Sequence, residues 1–322
     1  MVVQVWQVTR RVAALGASVL SPRVLFYRPA EGEWETLRPE DAEAGEFLPL
    51  SDGTRMHYTV RGADGPAVVL IHGLMSSTDE WAKNMDALAQ VHRAWAIDLI
   101  GFGYSSRLAE PKYSCKYLAN SVHEFLDRQG IARASIVGHS LGGAVALQLA
   151  HDAPEHVDKL ILIDAAAYIF GWFRMVRLMT SIPYVPRALA RRMLANPRVH
   201  ESSLRNALGD PAQLDERALA ARLRATRVKG TLDALLAMSA SPQAAEGPEG
   251  LDRITVPVLI LWGDQDFVLP LRHGRRLARD LPNAHLEIVP GAGHLPNEER
   301  PERVNALMLE FLSRDDGAGR PN

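Results

Sequence analysis

Short apolar runs alternate with segments of helical periodicity over most of the chain. Runs such as PAVVLIHG (66–73) and VPVLILWG (256–263) have no polar face, which is typical of parallel strands buried on both sides. The strands predicted in this way are 66–73, 92–99, 134–137, 157–164, 256–263 and 283–291. The helices predicted between and after them are 79–89, 114–129, 141–151, 271–280 and 301–312. This alternation predicts an α/β fold with a mostly parallel central sheet flanked by helices.

Two segments depart from the alternation. The segment EFLPLSDGTRMHYTV (46–60) alternates around Asp52-Gly53, which predicts a β-hairpin. Residues 165–250 show no strand pattern and predict helices separated by prolines, namely Pro183, Pro186, Pro197 and Pro211. Because open parallel sheets bind ligands at the carboxyl ends of their strands, we expect this insertion to form a lid there. The predicted organisation is an N-terminal arm (1–45), an α/β core (46–164 and 251–315) and a helical lid insertion (165–250).

The N-terminal arm carries a single apolar stripe. Its members recur at spacings of three and four residues: Val5, Val8, Val12, Leu15 and Val19. This periodicity predicts an amphipathic helix that docks on the protein body, on a partner or on a membrane surface. Arg10 and Arg11 interrupt the apolar run, so a membrane-spanning helix is not expected. We expect a cytoplasmic protein, with peripheral membrane contact as an option.

Composition narrows the possible functions. The 322 residues include 36 Lys and Arg against 38 Asp and Glu, so global charge does not indicate a nucleic-acid partner. Cys115 is the only cysteine, which excludes disulfides within the chain. No phosphate loop, dinucleotide fingerprint or metal-ligand cluster stands out, so neither a cofactor nor a metal is predicted.

The stretch IVGHSLGGAVALQLA (136–150) contains the strongest chemical signal. Ser140 lies where an apolar strand passes directly into a helix, with Gly138 and Gly142 two residues to either side. A nucleophile on such a tight turn adopts strained backbone angles and needs neighbours with little side chain. The following N–H, that of Leu141, lies at a helix N-terminus and can donate to an oxyanion.

A serine hydroxyl needs a base, and the base needs an orienting acid. His294 lies in the glycine-rich loop after the last predicted strand, at the same end of the sheet as Ser140. Asp264 and Asp266 both follow the preceding strand, so either could be the acid. The alternative is that an aspartate closes a turn and that His294 caps the next helix.

These motifs resemble those of the α/β-hydrolase family from about Phe47 to Leu312. The resemblance rests on HGLMSSTDEW, DLIGFGYSS, GHSLGG, GDQDFVLP and GAGHLPNEERPE, in that order. It implies a catalytic triad and an oxyanion hole, which fall on Ser140, Asp266, His294, Leu74 and Leu141. It further implies that His72 organises a loop, and that Asp98 and Gly101 belong to the loop that shapes the floor of the site.

The serine at this corner implies acyl chemistry, since related epoxide hydrolases and haloalkane dehalogenases carry aspartate there. The chain is most similar overall to lid-bearing serine esterases and monoacylglycerol-type lipases. We therefore expect a carboxylic ester hydrolase with a small-molecule ester substrate. The alternatives are a meta-cleavage C–C hydrolase, a cofactor-free perhydrolase and a binding or receptor protein on the same fold.

The first part of the lid insertion is apolar and basic. Its predicted substrate-binding residues are Trp172, Phe173, Met175 and Met179. They suggest an apolar channel for an acyl chain, beside arginines that could meet an anionic interface. Packing of the lid with a solvated basic face remains the alternative.

Overall fold

An eight-stranded sheet lies at the centre of the structure, a computed structural model that describes residues 35–108, 113–168, 196–241 and 247–314. The strands are β1 (Glu46–Pro49), β2 (Arg55–Arg61), β3 (Ala67–Ile71), β4 (Arg93–Ile97), β5 (Ala134–His139), β6 (Val157–Ile163), β7 (Val258–Gly263) and β8 (Ala284–Val289). Their order is β1-β2-β4-β3-β5-β6-β7-β8. β1 and β2 form the predicted hairpin and pair antiparallel, and β2 also pairs antiparallel with β4. The six strands β3 to β8 are parallel to one another.

Helices cover the sheet and complete the predicted α/β fold. They are α1 (Met85–Leu88), α2 (Cys115–Arg128), α3 (Leu141–Asp152), α4 (Pro197–Ala207), α5 (Glu216–Thr226), α6 (Thr231–Ala240), α7 (Arg272–Asp280), α8 (Pro296–Glu299) and α9 (Pro301–Ser313). The start of α2 is set by Ser114, whose hydroxyl accepts a hydrogen bond from the Tyr117 N–H.

Both faces of the sheet are buried, as the unbroken apolar runs predict. Along β3, Val69 and Ile71 point into one apolar cluster, while Val68 and Leu70 point into the other. Successive residues of a strand face opposite sides of the sheet, so a strand with helices on both sides needs apolar residues throughout.

The predicted helix over 79–89 is wrong. The chain forms a 3₁₀ turn at Thr78–Trp81 and the short α1 instead. Trp81, Met85 and Leu88 are buried at helical spacing, which explains the prediction. The Asn84 N–H donates to Trp81 O across only three residues, and the Asn84 side chain is held by Asn297 O and Asn305 Oδ1. These bonds break the helix at Asn84.

The described part of the insertion contains α4, α5 and α6 and no strand of the sheet. Pro197 and Pro211 begin helical turns, at Pro197–Ala207 and Pro211–Gln213, and do not merely separate them. The predicted channel residues Trp172, Phe173, Met175 and Met179 lie outside the described residues, as does residue range 1–34 of the N-terminal arm. Among the helices that the structure describes, none is long and apolar enough to cross a membrane.

Candidate active site

Ser140 occupies the corner between β5 and α3. Its backbone angles are φ 49° and ψ −113°, a combination that residues with a side chain rarely adopt. The corner is held from both sides, because the Ser140 N–H donates to Ile163 O at 3.0 Å and Ser140 O accepts from the Ala166 N–H at 2.9 Å. Strain at Ser140 is thus balanced by bonds to β6 and the residues that follow it.

The glycines around Ser140 allow close backbone approach. A Cβ on Gly138 would lie 2.4 Å from Gly142 O, and one on Gly142 would lie 2.1 Å from Ile71 O. Any side chain at either position would force the strand and the helix apart. The GHSLGG pattern is therefore a requirement of this turn.

The structure brings Ser140, His294 and Asp266 together at the carboxyl ends of β5, β8 and β7. His294 Nε2 lies 3.0 Å from Ser140 Oγ, and His294 Nδ1 lies 2.7 Å from Asp266 Oδ2. Donation from Nδ1 to the carboxylate leaves Nε2 as an acceptor for the serine hydroxyl. His294 and Asp266 are buried, and Ser140 is half-buried.

The two candidate aspartates of the β7 loop have different partners. Asp266 Oδ1 accepts from the N–H groups of Val268 and Leu269, at 2.7 and 2.8 Å, which leaves Oδ2 to His294. Asp264 Oδ1 accepts from the Gly291 N–H at 2.8 Å and so ties the β7 loop to the loop after β8. Only Asp266 is placed to orient the imidazole.

The N–H groups of Leu74 and Leu141, the predicted oxyanion donors, lie in the two segments next to Ser140. Leu141 is the first residue of α3, so its N–H has no partner within the helix. Leu74 follows β3 in the loop beside Ser140, and a Cβ on the preceding Gly73 would be 3.4 Å from Ser140 Cβ. Within the described residues, neither N–H is paired with an acceptor.

His72 and Asp98 hold the loops around the site. His72 Nδ1 donates to Gly73 O at 2.6 Å, and Nε2 accepts from the Leu99 N–H at 3.0 Å, which agrees with the expected loop-organising role. The Asp98 carboxylate is fully buried and accepts from Thr78 N–H, Tyr104 N–H and His57 Nδ1. Together these bonds join the loops that follow β3 and β4.

His139, the residue before the candidate nucleophile Ser140, contacts the candidate site in a way that the sequence did not predict. Its Nδ1 lies 2.8 Å from Glu80 Oε1 and its Nε2 lies 2.7 Å from His294 O. Burial disfavours a charged ring, but the Glu80 carboxylate outweighs burial and raises the pKa of His139. Since both acceptors lack a proton to donate, both ring nitrogens donate. The raised pKa favours this doubly protonated ring, which holds the His294 main chain.

Glu80 links this histidine to the insertion. Burial opposes its charge, yet His139 and Arg222 lower the pKa of Glu80 to about 2. Arg222, on α5 of the insertion, pairs with Glu80 Oε2 at 3.4 Å and with Glu298. Glu80 also accepts from the Gly73 N–H at 3.3 Å, next to Leu74. A buried network of four ionisable side chains, Glu80, His139, Arg222 and Glu298, therefore connects α5, the loop after β3, the Ser140 corner and α8.

The insertion is also hydrogen-bonded to the loop that carries His294. The His294 N–H donates to Ala207 O, the last residue of α4, at 2.7 Å. Glu299 accepts from the N–H groups of Gly293, Leu295 and Gly209, which joins the insertion to both sides of His294. The position of the imidazole thus depends on the insertion as well as on the sheet.

A second carboxyl group, Asp164, lies beside Asp266 at the end of β6. It is fully buried, and burial together with the Asp266 charge raises its pKa well above the ordinary value. Neutral Asp164 can donate a hydrogen bond to Asp266 while it accepts from the Gly263 N–H at 3.2 Å.

Asp164, Asp266 and His294 also have potential metal-ligand atoms within 4.8 Å of one another. The Asp266 oxygens already accept from two backbone N–H groups and His294, and the raised pKa of Asp164 favours its neutral form. This set fits a hydrogen-bonded relay and not a cation site.

The sheet order, the strained serine corner and the serine–histidine–aspartate relay define a class of enzyme fold. The alpha/beta hydrolase fold family matches residues 66–301. The chain belongs to this family, as the motifs predicted, and it is a hydrolase.

Individual relatives have varied activities. The chain is 29% identical over 262 residues to an uncharacterized hydrolase, YugF, of Bacillus subtilis, covering 81% of this chain and 95% of the relative. It is 31% identical over 291 residues to a 2-hydroxy-6-oxononadienedioate/2-hydroxy-6-oxononatrienedioate hydrolase of Burkholderia vietnamiensis, covering 86% and 98%. Among solved structures it resembles a bacterial membrane phospholipase A, described as a virulence factor, with a TM-score of 0.69 and 26% identity, covering 84% of this chain and 85% of that one.

Proposed function

We propose that the protein hydrolyses carboxylic esters through an acyl-enzyme formed on Ser140. The observation that carries this proposal is the relay in which His294 bridges Ser140 Oγ, at 3.0 Å, and Asp266 Oδ2, at 2.7 Å. Hydrogen-bonded contact from nucleophile to base to acid is the arrangement that activates a serine hydroxyl.

In the first half of the reaction, Ser140 Oγ attacks the ester carbonyl carbon and His294 Nε2 takes the hydroxyl proton. Asp266 stabilises the imidazolium that results. The N–H groups of Leu74 and Leu141 donate to the oxyanion of the tetrahedral intermediate. When this intermediate collapses, His294 returns the proton to the departing alcohol and the acyl group stays on Ser140.

In the second half, His294 takes a proton from water, which attacks the acyl carbonyl carbon. A second tetrahedral intermediate forms on the same two N–H groups. Its collapse releases the carboxylic acid and restores the Ser140 hydroxyl. No step needs a metal or an organic cofactor.

We propose apolar acyl esters or small lipid-like esters as substrates, with Trp172, Phe173, Met175 and Met179 forming the acyl channel. The similarity to a membrane phospholipase A at 26% identity supports lipid-like substrates. We also propose that the N-terminal arm and the insertion contact a lipid surface. Binding to anionic and neutral vesicles at two salt concentrations tests that contact, and equal binding to both kinds of vesicle, or none, would contradict it.

A panel of p-nitrophenyl esters of increasing acyl length tests the activity. We expect turnover by the parent protein, and a loss of about 10⁴-fold or more in Ser140→Ala with an unchanged fold. A serine-directed phosphonate should label Ser140 stoichiometrically. Labelling at another serine, or full turnover by Ser140→Ala, would overturn the proposal.

Hydrolysis of a C–C bond in a meta-cleavage product is the second candidate. It is supported by 31% identity to the 2-hydroxy-6-oxononadienedioate/2-hydroxy-6-oxononatrienedioate hydrolase. Against it, the loop after His72-Gly73 reads LMSST, whereas most C–C hydrolases that resemble this chain carry a Gly-Pro-Gly-like oxyanion loop there. Loss of the visible absorbance of a 2-hydroxy-6-oxo-dienoate substrate measures this activity directly. A kcat/KM for the dienoate above that of every ester in the panel would favour this candidate over the first.

A further inference from the structure

Two histidines and an aspartate converge on the outside of the molecule, between α2 and the turn that precedes β6. His123 and Asp127 lie one helical turn apart on α2, and His156 ends the 3₁₀ turn Pro154–His156. Each of the three offers a ligand atom within 4.8 Å of the other two. His123 and His156 are half-buried, and Asp127 is exposed.

The two imidazoles are close together but are not satisfied by hydrogen bonds. Their ring centroids are 4.4 Å apart, and His123 Nε2 lies 3.8 Å from Asp127 Oδ2. His156 Nε2 lies 4.0 Å from Glu155 Oε1, and His156 Nδ1 is buried without a hydrogen-bond partner among the described residues.

The buried histidines near the candidate active site behave differently. His57, His72, His139 and His294 each use both ring nitrogens in contacts within hydrogen-bond distance. The rings of His123 and His156 instead converge with a carboxylate, and each neutral imidazole has one nitrogen whose electron pair is not engaged by a donor among the described residues.

We propose that His123, Asp127 and His156 form a binding site for a divalent transition-metal ion of the Zn²⁺ or Ni²⁺ kind. Two imidazole nitrogens and one carboxylate oxygen suit these ions, whereas Mg²⁺ and Ca²⁺ prefer oxygen ligands alone. Ligand atoms around one Zn²⁺ lie about 3.3 Å apart when each bond is about 2 Å. The three ligand atoms lie within 4.8 Å of one another, so small side-chain rotations would bring them to this spacing.

The His123–Asp127–His156 cluster and the candidate active site lie at opposite edges of the sheet. α2 leads into β5, and His156 immediately precedes β6, so the cluster is at the amino-terminal edge of the parallel strands. Ser140, Asp266 and His294 are at the opposite, carboxyl edge. A bound ion would cross-link α2 to the connection between α3 and β6, and would stabilise the fold without taking part in catalysis. The proposal is therefore independent of the ester-hydrolase proposal.

The test uses untagged protein treated with EDTA, followed by calorimetric titration with Zn²⁺ and by thermal melting. We expect one ion per chain and a melting temperature that rises by about 4 °C at 100 times the dissociation constant. Mg²⁺ at the same concentration should leave the melting temperature unchanged. His123→Gln and His156→Gln should each abolish the Zn²⁺-dependent rise, and Asp127→Asn should weaken binding about tenfold or more.

The chain has 11 histidines, so a matched control is needed. His285 on β8 pairs with Glu287 at 2.8 Å but belongs to no group of three ligands among the described residues. His285→Gln should therefore retain the full Zn²⁺ effect. The proposal is overturned if the parent protein binds no Zn²⁺, or if binding survives in His123→Gln and His156→Gln. Unchanged affinity in Asp127→Asn would overturn the three-ligand site.

Discussion

Replacing Asp266 by asparagine tests the proposed relay at the atom level. Besides the bond that Asp164 can donate, the Asp266 carboxylate accepts three hydrogen bonds, two on Oδ1 from Val268 N–H and Leu269 N–H and one on Oδ2 from His294 Nδ1. Asparagine has one acceptor oxygen, and the two backbone donors at 2.7 and 2.8 Å will hold that oxygen at the Oδ1 position. Its NH₂ group then faces His294 and donates to Nδ1.

The consequence is the wrong imidazole tautomer. With Nδ1 as an acceptor, the proton of neutral His294 moves to Nε2, and Ser140 loses its base. A change of this kind costs on the order of 10⁴ in kcat in a serine protease, equivalent to about 5.5 kcal/mol of activation free energy. The backbone bonds survive, so we expect Asp266→Asn to fold normally and to be nearly inactive.

The assay is kcat on a p-nitrophenyl ester together with the melting temperature, with Asp264→Asn as the matched control. Asp264 lies two residues away, and among the described residues its carboxylate accepts a hydrogen bond only from the Gly291 N–H, a bond that an asparagine oxygen can also accept. We expect the control to keep its activity and to melt slightly earlier, by an amount equivalent to about 1 kcal/mol or less. An inactive Asp264→Asn beside an active Asp266→Asn would refute the assignment of the acid.

Three further predictions concern the surroundings of the relay. Asp164→Asn should keep kcat within about tenfold, because an amide can donate to Asp266 as the neutral carboxyl does. The raised folded-state pKa of Asp164 means that its stabilising contribution is complete below pH 3.8 and is lost as the pH rises. The melting temperature of the variant relative to the parent should therefore increase from about pH 5 to about pH 8, and a constant difference would contradict this. Arg222→Met should destabilise the fold by about 3–5 kcal/mol in urea unfolding, because it removes the cation that Glu80 and Glu298 share and leaves the buried Glu80 with His139 as its counter-ion; a loss below about 1 kcal/mol would show that the network is not coupled. Phe173→Ala should shift the acyl-length preference more than the melting temperature; a lowered melting temperature with the same preference would favour lid packing.

The parts of the fold that depend on local pattern could be predicted from the sequence. The hairpin at Asp52-Gly53, the buried parallel strands and the strand-to-helix corner at Ser140 follow from residues adjacent in the chain. The spacing of apolar residues alone was a less reliable predictor of helices. Trp81 and Leu88 have helical spacing, yet bonds from Asn84 to distant residues break the helix between them.

The network around the nucleophile could not be predicted because its members come from distant parts of the chain. Glu80, His139, Arg222 and Glu298 belong to four different segments, and charged residues are ordinarily expected on the surface. The sequence offers one hint, the position of His139 directly before Ser140. The choice between Asp264 and Asp266 likewise depended on family resemblance, since both follow the same strand.

The last residues of the N-terminal arm join the molecule at the insertion. Leu37 exchanges backbone hydrogen bonds with Arg227 O and Lys229 N–H, between α5 and α6, and Arg224 donates to Asp41 O. A mechanical load on the first residues of the chain therefore reaches α5, the helix that bears Arg222, as well as β1. Immobilising the protein through its N-terminus would strain α5, whose Arg222 pairs with Glu80. Anchorage after α9 would load the opposite end of the chain. The choice of attachment point is thus a way to pull on the insertion without altering a residue.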